Sequence, residues 1–217
     1  MIDILAPLIQ SPKLQEHFIK LKDYIKEEQQ KRKEFYDFVT EDMKAEFING
    51  EVIIHSPVTV DHASVSFNLA SLLHFYTTLN NSGKVTHEKL MIALTRNNYE
   101  PDICFFSPAK AKKLKDDQKL CPAPDSIVEV ISRSTEKIDR GVKFEDYALH
   151  DVKEYWIIDP KHKTIEKYIL VNKKYELEEK LLHGDISSKV IKGFTIPVKA
   201  IFNKTQFAKT LATISNK

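Results

Sequence analysis

The sequence predicts a mixed α/β fold, with helices packed on a central sheet and an antiparallel strand extension at the C-terminal side. Apolar residues recur at helical spacing in three segments, residues 11–34, 61–80 and 134–150. Between these segments lie short apolar runs of strand length, of which residues 125–132 are one. Residues 154–181 contain three strand-like runs joined by short polar turns, a pattern that is typical of a meander.

The N-terminal helix begins at Ser11 and Pro12, a capping residue followed by proline at the first helical position. Its apolar stripe consists of Leu14, Phe18, Leu21 and Ile25. We expect the stripe to pack on the chain's own domain or on a dimer partner rather than to bind a separate ligand.

The clearest hairpin is "KAEFINGEVIIHS", residues 44–56, in which two apolar strands flank Asn49 and Gly50. An Asn-Gly pair favours a two-residue type I′ turn. That turn places Glu46 opposite Ile53.

The elements after the hairpin alternate between helix and strand. A helix is expected from about Asp61 to Asn80, with the apolar stripe Val65, Leu69, Leu72, Leu73 and Tyr76. Residues 84–95 and 101–107 are expected to be strands, and residues 109–124 a basic surface loop. A helix over residues 134–150 should turn three apolar side chains inward, those of Ile138, Val142 and Leu149.

Composition and charge exclude several classes of protein. A net charge of +2 over 217 residues does not fit a polybasic nucleic-acid binder, so any such contact must come from local patches. Cys104 and Cys121 lack the spacing of a disulfide framework or a zinc site, which favours a reducing, cytoplasmic location. Neither a leader peptide nor a membrane-spanning run is recognisable, so we expect a soluble protein.

The strand "DSIVEVIS", residues 125–132, carries a glutamate at its centre. Strand alternation places Glu129 on one face with Ile127 and Ile131, and two valines on the other face. A buried carboxylate without a partner costs several kcal/mol, so Glu129 requires a cation, a metal or good hydrogen-bond donors.

Three charged residues that could form one site follow one another along the chain. Asp102 starts one strand, Glu129 lies within the next, and Lys143 follows in a helix within "DRGVKFEDY". Two carboxylates from neighbouring strands suit magnesium, which keeps several waters and takes one or two carboxylates. A nearby ammonium group can orient a water molecule or pair with a phosphate.

Each of these residues also has a simpler structural interpretation. Asp102 could cap a turn after its proline. Glu129 could be a structural ion-pair partner of Lys143. Lys143 lies four residues after Asp139 and could form an ordinary pair on a helix surface.

The runs "AEFINGEVIIHSPVTVDH", "PDICFF" and "PDSIVEVISRSTEKIDRGVKFEDYALHDVKEYWIIDP" together resemble the Uma-two family of restriction-endonuclease-like proteins, within the PD-(D/E)XK nuclease superfamily. The resemblance covers roughly residues 35–202. It implies a restriction-endonuclease-like core, a central mixed sheet flanked by helices. The first 30 or so residues lie outside it, so the resemblance implies a helical extension over residues 1–34 and a main domain over residues 35–217.

The resemblance implies that Asp102 and Glu129 bind Mg²⁺, with Mn²⁺ as a possible substitute. The superfamily's usual lysine, two residues after the acid, is replaced here by Ile131. Lys143 matches the position to which this lysine looks displaced in the family. Glu46 matches a family acidic position and is expected to approach the metal from another side.

The resemblance points to further residues with weaker roles. His62 is similar to a family histidine at the start of a helix, although a lone histidine is as well explained as a capping or core residue. Tyr147, one turn after Lys143, could steer the lysine. Tyr155 and Trp156 are better interpreted as core residues.

The leading hypothesis is a metal-dependent endonuclease that hydrolyses phosphodiester bonds in nucleic acid, expected to be DNA. Asp102, Glu129, Lys143 and Glu46 would form its catalytic site. The basic stretches at residues 109–115 and 161–163 could contact the phosphate backbone, although such runs are more often solvated loops. A homodimer is a possible assembly, and no membrane is expected as a partner.

The same residues also fit a second functional class. The alternative is a non-catalytic relative of the fold that acts as a dimeric nucleic-acid-binding or interaction module. A small-molecule enzyme lacks support, because no glycine-rich phosphate-binding loop is present.

Overall fold

The structure is a computed structural model that describes residues 5–216; residues 1–4 and 217, which belong to the ends of the two predicted domains, lie outside the described residues. The chain divides into two compact units, one ending at His55 and one beginning at Ser56. The sequence-based boundary between residues 34 and 35 stays a prediction.

The first unit contains a long helix and a hairpin. Its elements are α1 (Ala6–Ile9), α2 (Leu14–Phe38), β1 (Ala45–Ile48) and β2 (Glu51–Ile54). The antiparallel register places Glu46 opposite Ile53, as predicted. Asn49 and Gly50 have φ angles of 51° and 86°, which a type I′ turn requires.

Helix α2 begins two residues after the predicted Pro12 and leaves its apolar stripe exposed. The exposed fractions are 39% for Leu14, 60% for Phe18, 52% for Leu21 and 54% for Ile25. The expectation that the stripe packs on the chain's own domain is therefore wrong, while a dimer contact stays a prediction. The helix is anchored instead near its C-terminal end, where the ring centroid of Phe35 lies 5.7 Å from that of Phe47.

The second unit is a mixed sheet flanked by helices. Its helices are α3 (Val60–Leu79), α4 (Pro108–Ala111), α5 (Glu136–Asp139), α6 (Val142–Leu149), α7 (Lys199–Phe202) and α8 (Lys204–Ser215). Its strands are β3 (Lys84–His87), β4 (Met91–Ala93), β5 (Asn98–Tyr99), β6 (Ile103–Phe106), β7 (Leu120–Cys121), β8 (Ser126–Val130), β9 (Glu154–Asp159), β10 (Thr164–Val171), β11 (Lys174–Leu181), β12 (Asp185–Ser187) and β13 (Thr195–Pro197).

The six-stranded sheet of this unit has the order β11-β10-β9-β8-β6-β3. Strands β8 and β9 run parallel, whereas the pairs β11–β10, β10–β9, β8–β6 and β6–β3 are antiparallel. Strands β9, β10 and β11 form the predicted antiparallel extension. The predicted mixed α/β class is confirmed.

The apolar core lies between one face of this sheet and α3. Val128 and Val130 of β8 belong to this core, together with Leu69 and Leu72 of α3. Trp156 of β9 is part of the same cluster, and Tyr155 is also buried, so their assignment to the core is confirmed. The valine face of β8 is therefore the core face, and Glu129 points to the other side of the sheet.

Residues 84–95 were predicted to form one strand, but they form β3 and β4, which lie in different sheets. Glu88 and Lys89 between them adopt left-handed backbone angles, with φ of 54° and 51°. Two consecutive left-handed residues end an extended strand, and their residue types give no signal of it.

The helix predicted for residues 134–150 is interrupted at Gly141, so that α5 and α6 are separate. A Cβ at Gly141 would lie 2.7 Å from the backbone oxygen of Lys137, too close for any other residue type. The inward orientation predicted for Leu149 is wrong, because its side chain is 62% exposed. Helix α6 instead buries largely polar side chains, which find partners described below.

Residues 109–124 were predicted to be a surface loop, but they contain β7, which pairs in parallel with β4. Within residues 5–216, the helices fall short of the length or the hydropathy that crossing a membrane would require.

Candidate active site

Glu129 lies at the centre of β8, between β6 and β9, and is 3% exposed. Its position on the face opposite the apolar core follows from the alternation of the strand. Ile131, which stands where the superfamily has its usual lysine, is 6% exposed and continues the strand pairing by donating its backbone N–H to Ile158. A cation for Glu129 must therefore come from another element.

Lys143, in the first turn of α6, supplies that cation. Its Nζ lies 3.0 Å from Oε1 of Glu129 and 3.1 Å from Oδ1 of Asp139. The side chains of all three residues are at least 95% buried. The ammonium also lies 5.8 Å from the ring centroid of Tyr99, within cation–π distance.

Tyr147 lies one turn after Lys143, and its hydroxyl donates a hydrogen bond of 3.0 Å to the same Oε1 atom of Glu129. Its ring packs edge-on against the rings of Tyr99 and Tyr155, at centroid distances of 5.2 and 5.4 Å. Two donors from one helix face thus converge on one carboxylate oxygen.

Asp102 precedes β6 and is 3% exposed. Because Ile103 pairs with Val128, continuation of the antiparallel register brings Asp102 opposite Glu129. Its Oδ2 accepts a hydrogen bond of 2.8 Å from the backbone N–H of Val130, the residue after Glu129. The two predicted metal-binding carboxylates are therefore neighbours on paired strands.

His62 lies in the first turn of α3, where Thr59 caps the helix by accepting the backbone N–H of His62 at 3.2 Å. Its Nε2 lies 3.5 Å from Oδ1 of Asp102, and the residue is 6% exposed. The structure thus brings His62 beside Asp102 while leaving the capping of α3 to Thr59.

Glu46 lies on β1 in the first compact unit and is fully buried. Its Oε2 is 3.0 Å from Nε2 of His55. The role of Glu46 beside the predicted metal-binding carboxylates stays a prediction.

Asp139 is the residue whose environment the sequence did not indicate. Spacing alone suggested a surface pair with Lys143, whereas the structure buries both partners and adds Glu129. The available signal was the position of Asp139 one helical turn before a lysine that the family pattern singles out.

A second polar network holds α6 at Asp146, about one helical turn after Lys143. Oδ2 of Asp146 accepts hydrogen bonds from Asn97 Nδ2 at 2.7 Å and from the hydroxyl of Tyr99 at 2.8 Å. Nδ1 of His150 lies 3.0 Å from Oδ1 of Asp146. These contacts fix the rotation of the helix that carries Lys143 and Tyr147.

Burial and the carboxylates of the site raise the pKa values of two buried neighbours. Burial raises the pKa of the Cys104 thiol well above its usual value, and the charges of Glu129 and Asp102 raise it further. Burial likewise raises the pKa of Tyr155, and the charges of Glu129 and Asp139 add to the effect. Carboxylate charge gathered in this way favours a bound cation.

The donor set is compatible with magnesium. Asp102 and Glu129 are hard oxygen ligands, and Mg²⁺ commonly uses one or two carboxylates together with waters. Among the residues that the structure describes, there is no group of three or more His, Cys, Asp or Glu side chains arranged to hold a metal ion. The fit therefore rests on two carboxylates, not on a complete protein cage.

Comparisons with known proteins agree with this architecture. The family model described as "Uma2: Putative restriction endonuclease" matches residues 32–199. The curated "Uncharacterized protein sll1609" of Synechocystis sp. (strain ATCC 27184 / PCC 6803 / Kazusa) is 29% identical over 133 residues, which are 58% of this chain and 71% of that protein.

A crystal structure described as "a putative nuclease belonging to DUF820", from Anabaena variabilis ATCC 29413, superposes with a TM-score of 0.68 at 16% identity. The superposition covers 82% of this chain and 97% of that chain, and at this identity it supports the fold alone. Since the family model spans more than half of the chain, this protein belongs to the Uma2 family and has a restriction-endonuclease-like fold.

Proposed function

We propose that this protein is a metal-dependent endonuclease that hydrolyses phosphodiester bonds, with DNA as its substrate. The observation that carries the proposal is the convergence of Asp102, Glu129 and Lys143 from three separate elements on one buried position. Burying several ionised groups together costs free energy that a purely structural contact could avoid with apolar residues. Clusters of this kind are enriched at functional sites.

Asp102 and Glu129 would hold Mg²⁺ or Mn²⁺, which when bound lowers the pKa of a coordinated water and offsets charge on the phosphate. Lys143 would orient the attacking water or pair with a phosphate oxygen as a point charge. Tyr147 would hold the Glu129 carboxylate in position through Oε1. His62 would support Asp102, and Glu46 keeps the catalytic role that the family pattern implies.

The two basic stretches contribute unequally to the proposed backbone contact. In residues 109–115, Lys110 is engaged within the protein, because its Nζ donates to the backbone oxygens of Ala123 and Pro124 at 2.9 and 3.0 Å. Residues 161–163 lie in an exposed turn between β9 and β10. The second stretch is therefore the better candidate for a contact with the substrate.

The second candidate function is a non-catalytic nucleic-acid-binding or interaction module. The contacts that Lys143 and Tyr147 make with Glu129 favour it, since they satisfy the carboxylate without a metal. In that case the cluster would serve to fix α6 on β8. A homodimer through the exposed stripe of α2 and a cytoplasmic location both stay predictions.

The experiment that tests the nuclease is cleavage of supercoiled plasmid DNA in the presence of Mg²⁺ or Mn²⁺. Cleavage should vanish with EDTA and in Asp102→Asn, Glu129→Gln and Lys143→Met. Glu176→Gln, an exposed substitution on β11, is the control that should cleave normally. Circular dichroism would verify that each variant is folded.

The nuclease proposal fails if neither metal supports cleavage of DNA by the wild-type chain. It also fails if folded Glu129→Gln cleaves as fast as the wild type. Binding of DNA without cleavage under all these conditions would favour the non-catalytic module.

A further inference from the structure

A cavity of about 540 Å³ opens on the second unit beside the turn between β9 and β10. Four basic or titratable side chains line it, His162, Lys163, His183 and Lys199, and Phe202 contributes an aromatic surface. These side chains come from three segments that are distant in sequence: the β9–β10 turn, the segment after β11, and α7. The concave arrangement is therefore a product of the tertiary structure and not of one basic run.

The charge of this cavity has a single sign. Among the lining residues that the structure describes, there is no aspartate or glutamate. Outside the lining, Asp159 holds the turn in place: its Oδ1 accepts the backbone N–H of His162 at 3.0 Å, and its Oδ2 lies 2.6 Å from Nδ1 of the same residue. A concave surface lined with one sign of charge concentrates anions.

Helix α8 begins at the wall of the cavity and adds a further contribution. Asn203 caps the helix by accepting the backbone N–H of Gln206 at 3.0 Å, and both side chains line the cavity. The N-terminal end of a twelve-residue helix carries a partial positive charge, which adds to that of the lysines. Amide side chains and the ring of Phe202 are also suited to contacting nucleotide bases.

The cavity lies at the edge of the sheet to which the Glu129 strand leads. Glu129 pairs with Ile157 across the parallel strands β8 and β9. Asp159 lies two residues further along β9, so the turn at His162 begins about 7 Å beyond the level of Glu129. Helix α7, which lines the cavity, contributes Ala200 and Ile201 to the core on the Val128 face, so a strand that reaches both the cavity and Glu129 must pass around this end of the sheet.

We propose that this cavity binds the phosphate backbone of a nucleic-acid strand. This inference rests on the proposed nuclease function for the identity of the polymer. Lys163 and Lys199 contribute the charge contacts, and Phe202 provides an apolar surface for a base. The contacts act on the backbone and do not select a sequence.

The test is binding of fluorescein-labelled oligonucleotides, single-stranded and duplex, measured by anisotropy in EDTA so that no cleavage occurs. The double variant Lys163→Gln/Lys199→Gln should bind oligonucleotides more weakly than the wild type does. The affinity should fall by a similar factor for oligonucleotides of unrelated sequence. The slope of log affinity against log salt should fall by about one to two, because each lost phosphate contact removes about 0.7 to 0.9.

Lys174→Gln is the matched control. Lys174 is an exposed lysine at the opposite end of the β10–β11 hairpin, where it pairs with Val171. That position is about 23 Å along the strand from the cavity end of β10. The control should keep the wild-type affinity and salt slope, and circular dichroism would show that both variants are folded.

Unchanged affinity and salt slope in the folded double variant would overturn the inference, even if the wild-type chain cleaves DNA. Absence of oligonucleotide binding by the wild-type chain would also overturn it. Loss of binding in the double variant, together with a wild type that never cleaves, would support the cavity and remove the nuclease function. Inorganic phosphate that displaces the oligonucleotide beyond the effect of sodium chloride at equal ionic strength would reassign the cavity to a single phosphate group.

Discussion

Nζ of Lys143 lies 3.0 Å from Oε1 of Glu129, although the lysine belongs to a helix that begins thirteen residues after the glutamate. The cation beside Glu129 comes from this helix, because the strand position where the superfamily usually has its lysine holds Ile131 in this chain. The pair is buried on both sides, so each group depends on the other for compensation of its charge.

Removing the lysine charge should destabilise the fold strongly. In Lys143→Met, Glu129 and Asp139 lose the ammonium that lies 3.0 and 3.1 Å away, and we expect a loss of about 3–5 kcal/mol in the free energy of unfolding. Urea denaturation measures the change.

An exposed ion pair provides the control for this prediction. Lys173 contacts Asp151 with both side chains more than half exposed, and Lys173→Gln should lower the free energy of unfolding far less than Lys143→Met does. Equal losses in the two variants would show that burial does not strengthen the dependence on Lys143.

Removing one hydroxyl should separate the hydrogen bond of Tyr147 from its packing. Tyr147→Phe keeps the ring contacts and loses the bond to Glu129, so we expect a cost of about 1.5–3 kcal/mol, as for a charged acceptor. In Tyr175→Phe the lost bond goes to the neutral backbone oxygen of Val152, and the expected cost is about 0.5–1.5 kcal/mol. Thermal unfolding of both variants would refute the assignment if Tyr175→Phe proved the more costly.

The acid stability of the protein should depend on Glu166. Burial raises the pKa of Glu166, but hydrogen bonds from Arg140, Lys180 and Tyr168 outweigh this and lower it from 4.5 to about 2. A lowered carboxyl pKa stabilises the folded state above pH 4.5, and that stabilisation is lost as the pH falls toward 2.

The loss over this range should amount to about 3 kcal/mol, and Glu166→Gln should remove it. The free energy of unfolding, measured at intervals between pH 5 and pH 2, would show a flatter acid limb for this variant, which means a smaller loss of stability as the pH falls. Glu136→Gln changes a carboxylate that contacts the same Arg140 from an exposed position, and it should keep the steep limb. A steep limb that persists in Glu166→Gln would assign the acid sensitivity to other groups.

Metal binding can be tested without any reaction. Electron paramagnetic resonance of Mn²⁺ should show bound ion in the wild type and weaker binding by at least about tenfold in Glu129→Gln and Asp102→Asn. Glu154→Gln is a demanding control, because Glu154 is also a buried glutamate on a neighbouring strand, held by Trp156 and the backbone N–H of Lys189. Equal weakening in all three variants would mean that Mn²⁺ does not recognise the predicted pair.

Local patterns predicted those elements whose shape depends on adjacent residues. The hairpin at Asn49 and Gly50 and the two faces of β8 followed from turn chemistry and from the two-residue period. The division of residues 84–95 did not, because Glu88 and Lys89 adopt left-handed angles that their side chains do not favour.

The candidate site was likewise predictable from the sequence only in part. The family pattern selected Asp102, Glu129, Lys143 and His62, helix spacing selected Tyr147, and the structure brings these residues into one neighbourhood. The role that the family pattern gave to Glu46 stays a prediction. The burial of Asp139 could not be predicted, because four-residue spacing is identical for an exposed and for a buried helix pair.

The sequence by itself determined that Glu129 lies on the side of β8 opposite Val128 and Val130, since alternation is a property of the strand. The sequence named Lys143 as a partner for this carboxylate, but the tertiary structure alone decided that the two side chains meet and are buried together. The break at Gly141 and the packing of α6 bring Lys143 and Asp139 to it, and these depend on contacts between residues far apart in the chain. Spacing along the sequence does not encode that approach, because the distance between two side chains on different elements depends on how the elements pack.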